Sequence, residues 1–311
     1  MAYSQDVTGL SNWLQPSSEL IAKAIAWSPS IQSSLVYTDV KYGEYVTVFT
    51  SSINIVDGSN CGFTSSGNTT FTEIQALPKM LSVQESFCSK AFFSKHISPM
   101  LKAGASADQL EFLNKLMDEK MQSLAFENEK LAWRGNTVTG TGNLARTDGW
   151  LYQLISTSSS ADTTSFTSAV TSSNILAVVD NVVYNTPANV ITQSDLRLKM
   201  NTTNYRYYVN ALRDSGAISY NMKPDANEKG VMSMSVPAFS NITVEAAPGM
   251  DGSGVDMVLG QKNNFLTFTD LLSDLTNYTL IADPYNRDVK LIVDYVLGFN
   301  IAKPSEIVIV K

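Results

Sequence analysis

Residues 46–90 read VTVFTSSINIVDGSNCGFTSSGNTTFTEIQALPKMLSVQESFCSK. In the first arm, Val46, Val48, Ile53 and Ile55 alternate with polar residues on either side of a Ser/Thr break, the period of a half-buried strand. The tip, residues 57–70, holds Gly58, Gly62 and Gly67 and no large aliphatic side chain, so it turns and builds no core. From Phe71 to Leu77 the alternation resumes. A two-stranded ribbon on its own is marginal in water, and this one has little with which to bury itself. It must lie on another surface, either its own domain or a neighbouring subunit, and local geometry leaves both open.

Past Pro78, the residues from Met80 to Phe87 predict a further strand, and residues 89–101 a short helix ending near Gly104. The clearest element follows at residues 107–134. It opens on Ser106-Ala107-Asp108-Gln109, a capping box in which Ser106 and Gln109 each satisfy a free amide of the first turn. Leu110, Leu113, Met117, Met121, Leu124 and Leu131 recur at helical spacing and form one apolar stripe. Gly135 stands where a left-handed cap ends a helix. At 1.5 Å per residue this is a rod of roughly 40 Å, long enough to serve as the spine of a domain. Upstream, residues 1–45 read as an arm with one or two short helices, residues 18–26 being the better candidate.

Downstream, STSSSADTTSFTSAVTSS (residues 156–173) is polar and of low complexity, which predicts a linker or exposed loop dividing the chain. Beyond it, residues 174–185 and 203–214 carry helical patterns, the second with Tyr205, Tyr208, Val209 and Leu212 on one face. Strands are expected at 195–200, 231–236, 242–246, 256–259, 278–282, 289–297 and 307–310. The fold class is mixed α+β, without internal repeats.

A chain of 311 residues holds one large domain or two ordinary ones. Only 16% of its residues are charged, well below the usual quarter, which favours loop-rich and β-rich surfaces and excludes disorder of the whole chain. The N-terminus lacks a basic leader, and its apolar run is too short and broken for secretion or spanning, so the expected place of synthesis and residence is the cytoplasm, with no membrane partner. Cys61 and Cys88 are too few for a disulfide framework and lack metal-ligand spacing. The net charge of −7 argues against a protein whose main task is gripping nucleic acid.

Chemistry is hard to place on this chain. Its one histidine, His96, stands among Lys90, Lys95 and Lys102, the setting of a surface or capping residue more than of a base, and no Gly-x-Ser-x-Gly elbow surrounds any serine. A Cys61 or Cys88 dyad with His96 lacks a third group. Residues 251–256, DGSGVD, lack the alternating ligands and distal Glu of a calcium loop. Residues 140–145, GTGNLA, match the loose dinucleotide pattern but follow no apolar strand. Arg197, Lys199, Arg206 and Arg213 interleave with Tyr205, Tyr207 and Tyr208, as in single-strand binders; a helix with its Tyr face in the core and its Arg face in water is the simpler account. The expectation is a non-enzyme with no catalytic residues, cofactor or metal.

With the order arm, long hairpin, strand, spine helix, second part and terminal strands, certain residues carry a resemblance. They are Phe71-Thr72-Glu73, Lys79 through Lys90, the stretch from Glu127 to Gly135 with its Trp133-Arg134-Gly135, and Asp283-Pro284 through Tyr295 to Gly298. The chain resembles major capsid proteins of tailed bacteriophages with the Hong Kong 97 fold, of the type found in Bacteroidetes phages. The resemblance implies an N-terminal arm at 1–45 and an extended β-hairpin loop at 46–77. It further implies a peripheral domain at 78–147 with its spine helix, an axial domain at 148–270, and return strands to the peripheral domain at 271–311. It makes Val48, Ile53, Ile55, Gly58, Cys61, Phe63, Gly67, Phe71 and Ile74 the loop's contacts with an adjacent subunit, and Leu110, Leu113, Met117, Met121, Leu124 and Trp133 the peripheral spine.

The implied partners are further copies of the chain in hexamers and pentamers, a portal, separate scaffold or decoration proteins, and packaged double-stranded DNA in non-specific contact. The implied location is the virion, assembled in the host cytoplasm. Residues 46–77 contain no lysine, so the Lys–Asn cross-link that some relatives form from this loop is not expected, and the arm is too short to hold a cleaved scaffolding domain. Three other readings stand beside this one: a β-rich binding module or adhesin, an enzyme with a carboxylate-based mechanism, which no residue spacing supports, and an encapsulin-like protein compartment.

Overall fold

The computed structural model describes residues 28–55, 57, 67–88, 107–157, 162–164, 169–216, 225–226, 232–237, 239–269, 278–283 and 288–311. The candidate helices at 18–26 and 89–101 lie outside them, as does the tip with Gly58, Cys61 and Phe63.

The strands in chain order are β1 (Leu35–Tyr37), β2 (Tyr45–Ser52), β3 (Asn68–Gln75), β4 (Lys79–Cys88), β5 (Asp162–Thr164), β6 (Leu196–Met200), β7 (Asp225–Ala226), β8 (Met232–Val236), β9 (Phe239–Ala246), β10 (Met257–Gln261), β11 (Phe265–Thr269), β12 (Tyr278–Asp283), β13 (Asp288–Ile301) and β14 (Val308–Val310). The main helices are Ala107–Arg134, Ile175–Asn185 and Thr202–Asp214. Three sheets result. Five strands run β1-β11-β13-β12 with β4 also on β13, seven run β5-β14-β10-β6-β9-β8-β7, and β2 pairs β3 alone.

The five-stranded sheet is organised by β13, whose residues 288–297 pair antiparallel with β4 and 297–301 with β11. The C-terminal half of the spine helix closes over it. Met121, Ala125, Leu131, Ala132 and Trp133 are buried there with Leu291, Val293, Tyr295 and Leu297. Trp133 and Trp150 meet edge to face at 5.1 Å, and Trp150 packs in the same manner on Phe265 and Phe299, each at 5.4 Å. Both indoles find partners: Trp133 Nε1 donates to Ser30 Oγ at 2.8 Å and Trp150 Nε1 to Leu266 O at 3.0 Å, as buried indoles require. In the second core, the helices Ile175–Asn185 and Thr202–Asp214 pack Val178, Val182, Tyr205, Tyr208 and Leu212 onto the apolar face of the seven-stranded sheet. Arg206 and Arg213 stay exposed, so that helix is the tyrosine-inside, arginine-outside element of the simpler account.

Several expectations are corrected. Gly135 does not adopt a left-handed conformation. It is glycine because the backbone returns against it: a Cβ there would meet Thr147 O at 2.4 Å, and Gly149 N–H donates to Gly135 O at 2.8 Å. The polar stretch 156–173 is not wholly a linker, for Asp162–Thr164 forms β5 parallel to β14; its β-branched threonines complete an edge that β14 leaves open. The expected boundaries at 148 and 271 do not coincide with the sheets. Trp150, Leu151 and Leu154 lie in the core beneath the spine helix, and β11, buried at every residue, pairs with β13. β14, equally buried, leaves β13's sheet and pairs with β10. Strands buried on both faces show no alternation, so sequence period could not assign them to a sheet.

Candidate assembly surface

The hairpin's register sets its two faces. Val46 lies opposite Ile74 and Val48 opposite Thr72, whereas Tyr45 faces Gln75, Thr47 faces Glu73 and Phe49 faces Phe71. Directly opposed residues share a face, so the first group forms an inner face and the second an outer one. Val46 and Ile74 pack on a small cluster of Val40, Ala76, Leu266 and Phe268. The base is clamped by Gly43 N–H to Ala76 O at 2.9 Å and Ala76 N–H to Glu44 O at 2.7 Å. Among the described residues the outer face is open: Phe49 and Phe71 are 66% and 68% exposed, and past the ladder Ile53 and Ile55 reach 87% and 92%. Gly67, at φ +110°, starts the return, where a Cβ would lie 2.8 Å from Ser52 O.

Two exposed phenylalanines at directly opposed positions, with Tyr45 on the same face, leave apolar surface in solvent. Single exposed apolar residues are ordinary, whereas a contiguous patch marks an interaction site. Burying each ring fully is worth about 1.5–3 kcal/mol.

A second feature lies between β4 and the spine helix. There the sheet and helix leave a groove of about 700 Å³, with Met80, Val83, Met121, Leu124, Leu131 and Val293 among its lining. Lys120 bridges to Glu85 across it at 2.7 Å. At its floor Tyr295 Oη donates to Asn128 Oδ1 at 2.8 Å, and burial pushes the phenol well above the usual tyrosine range. At the rim, hydrogen bonds from Lys130 and Asn143 hold the Glu127 carboxyl below the ordinary carboxylate value against a smaller opposing effect of burial.

Of the expected loop residues, Phe71, Ile53, Ile55 and Gly67 are exposed, Val48 is half-buried, and Ile74 is partly buried on the chain's own small cluster. Among the spine residues, Met121 and Trp133 are buried and Leu124 packs half-buried beside them. Leu110, Leu113 and Met117 lie in the helix, but their side chains fall outside the described ones. Tyr45, Phe49 and Met80 join the exposed apolar set without having been singled out in sequence; the Phe49–Phe71 opposition follows only from the register. Among the described residues no three His, Cys, Asp or Glu side chains group as metal donors, and no helix is long and apolar enough to cross a membrane. His96 lies outside the described residues. In the DGSGVD segment, Asp251 accepts from Thr202 N–H and Oγ1 at 2.8 and 2.6 Å, capping the helix Thr202–Asp214.

No protein-family profile matches the sequence, and no curated protein does. Solved structures do match. The satellite phage P4 procapsid, which includes its size determination protein, is similar at a TM-score of 0.57 and 10% identity over 94% of this chain and 98% of that one. The capsid of the myovirus XM1 gives 0.54 and 12% over 89% of each chain. A virus-like particle from Pyrococcus furiosus gives 0.51 and 11% over 94% and 96%. The chain thus has the fold of these capsid proteins, the Hong Kong 97 type.

Proposed function

We propose that this protein is the structural major capsid protein of a tailed bacteriophage, self-assembling into the hexamers and pentamers of an icosahedral shell around double-stranded DNA. The observation that carries this is the hairpin: on a chain with a capsid fold, it projects an opposed Phe49–Phe71 pair that the described residues leave about two-thirds exposed. The groove between β4 and the spine helix of an adjacent copy is the complementary surface. It is apolar along Met80, Val83, Met121 and Leu124, with the Lys120–Glu85 pair at its edge. A closed shell repeats such a contact by symmetry, so a modest gain per copy suffices.

In this reading the spine helix and the five-stranded sheet form the peripheral domain, and the helices over the seven-stranded sheet form the axial domain at the capsomer centre. The protein is a virion component, assembled in the host cytoplasm with a portal and separate scaffold or decoration proteins. A net charge of −7 lets the wall hold DNA loosely.

The test is expression of the chain alone, followed by negative-stain imaging of the void-volume fraction from size exclusion. Closed shells, tubes or six-fold rings support the reading. A monomer at every concentration, with and without a candidate scaffold, sinks it in favour of a binding module. Shells that protect a cargo protein in place of DNA point to an encapsulin-like compartment.

A further inference from the structure

Lys199 on β6 is fully buried. Its side chain passes from the seven-stranded sheet into the tryptophan-lined core, where Nζ lies 4.9 Å from the centroid of the Phe265 ring and 5.6 Å from those of Trp133 and Trp150. Nζ donates to Ser33 Oγ at 2.6 Å. Glu129 of the spine helix is buried nearby. Its Oε2 accepts Ser30 N–H at 3.0 Å, while Oε1 has no hydrogen-bond partner among the described residues. Ser28 Oγ donates to Ala125 O at 2.9 Å. Residues 28–34, the spine helix and β6 therefore meet on two buried ionisable groups. Three aromatic rings attract a cation, yet an ammonium held by one hydroxyl has lost most of its hydration.

We propose that this junction is a proton-driven latch, in which residues 28–34 are seated against the opposing cost of a buried Lys199 charge, and protonation of Lys199 favours an opened junction where the ammonium reaches water.

Burial holds Lys199 below its ordinary 10.5, partly offset by Glu245 on β9 and Glu129 on the spine helix, and reinforced by Arg197 on β6 and Lys262 between β10 and β11. Residues 28–34 carry no titratable side chain. Opening lets water reach the ammonium and brings the value back toward the ordinary one. Between the closed and open values the open form binds more protons, so closing strengthens as pH rises, by up to about tenfold per pH unit for one proton. Below the lowered value both forms are charged and the dependence vanishes. Glu129 acts in the other sense. Its carboxyl is raised above 4.5 chiefly by burial, so its contribution to closing is lost as pH rises through the raised value.

The test is hydrogen exchange of amides 30–34 in the full chain from pH 6 to 10, corrected for intrinsic rates. Wild type is expected to show opening that falls with rising pH across part of that range. In Lys199→Met the slope disappears and the segment is protected throughout; in Glu129→Gln the alkaline slope remains. Should Lys199→Met fail to fold, Lys199→Arg, charged at every pH, is expected to give flat and low protection. A flat wild-type profile, an unchanged slope in Lys199→Met, or a wild-type slope retained by Lys199→Arg would overturn the latch.

Discussion

Two groups of aromatic residues in this molecule have opposite fates. Trp133 and Trp150 are fully buried, each with an indole hydrogen bond and neighbouring rings at 5.1–5.9 Å. Phe49 and Phe71 oppose each other on the hairpin and are about two-thirds exposed. Both groups sit on helix or strand backbone, so local structure does not separate them. What differs is the layer above. The tryptophans lie between a helix and a sheet, whereas the phenylalanines lie on the outer side of a two-stranded ribbon whose inner side already rests on Val40, Ala76, Leu266 and Phe268. The first group stabilises the subunit. The second has apolar surface left over for another molecule.

Mutations can break that contrast. Trp150→Ala should cost about 3–5 kcal/mol through the lost contacts and the cavity left behind, read by chemical denaturation; a cost under about 1 kcal/mol would mean this core is not what holds the two sheets together. Gly135→Ala forces a Cβ onto Thr147 O and should cost about 1–3 kcal/mol, as overpacking does, with the thermal midpoint as the measure. Tyr295→Phe removes the hydroxyl donating to Asn128 and should cost about 1 kcal/mol, leaving the groove's shape unchanged. The double change Phe49→Ser with Phe71→Ser should shift subunit stability by no more than about 0.5 kcal/mol, as at other exposed sites, while abolishing sedimenting assemblies. If assembly survives the double change, the outer face is not the docking face.

Much of this was legible in the primary structure because periodicity reports which side of an element is covered. The hairpin, β4, the spine helix with Met121, Leu124 and Leu131, and the tyrosine face of Thr202–Asp214 all follow from spacing. Short elements without a period were harder. Phe265–Thr269 and Leu35–Tyr37 pair across more than two hundred residues, and nothing local in FLTFT distinguishes a strand of one sheet from a strand of another. Asp162–Thr164 was hidden in serine and threonine, since an edge strand is decided by the neighbour it completes. Gly135 stood where helices commonly end, and the cause of its glycine, the returning backbone at Thr147 and Gly149, lies 12 and 14 residues further along the chain with no periodicity to announce it.

The amino-acid sequence alone determined the long helix, the longer strands and the hairpin's shortage of self-burial, because these depend on composition and on the periods 2 and 3.6 within a single element. Tertiary structure alone decided which strands share a sheet and that Phe49 stands opposite Phe71. It also decided that Lys199, read as one charge in a basic and aromatic stretch, ends inside a cage of Trp133, Trp150 and Phe265. Those outcomes rest on contacts between residues far apart in the chain, and their energies depend on which surface closes over which, a property that no local spacing encodes.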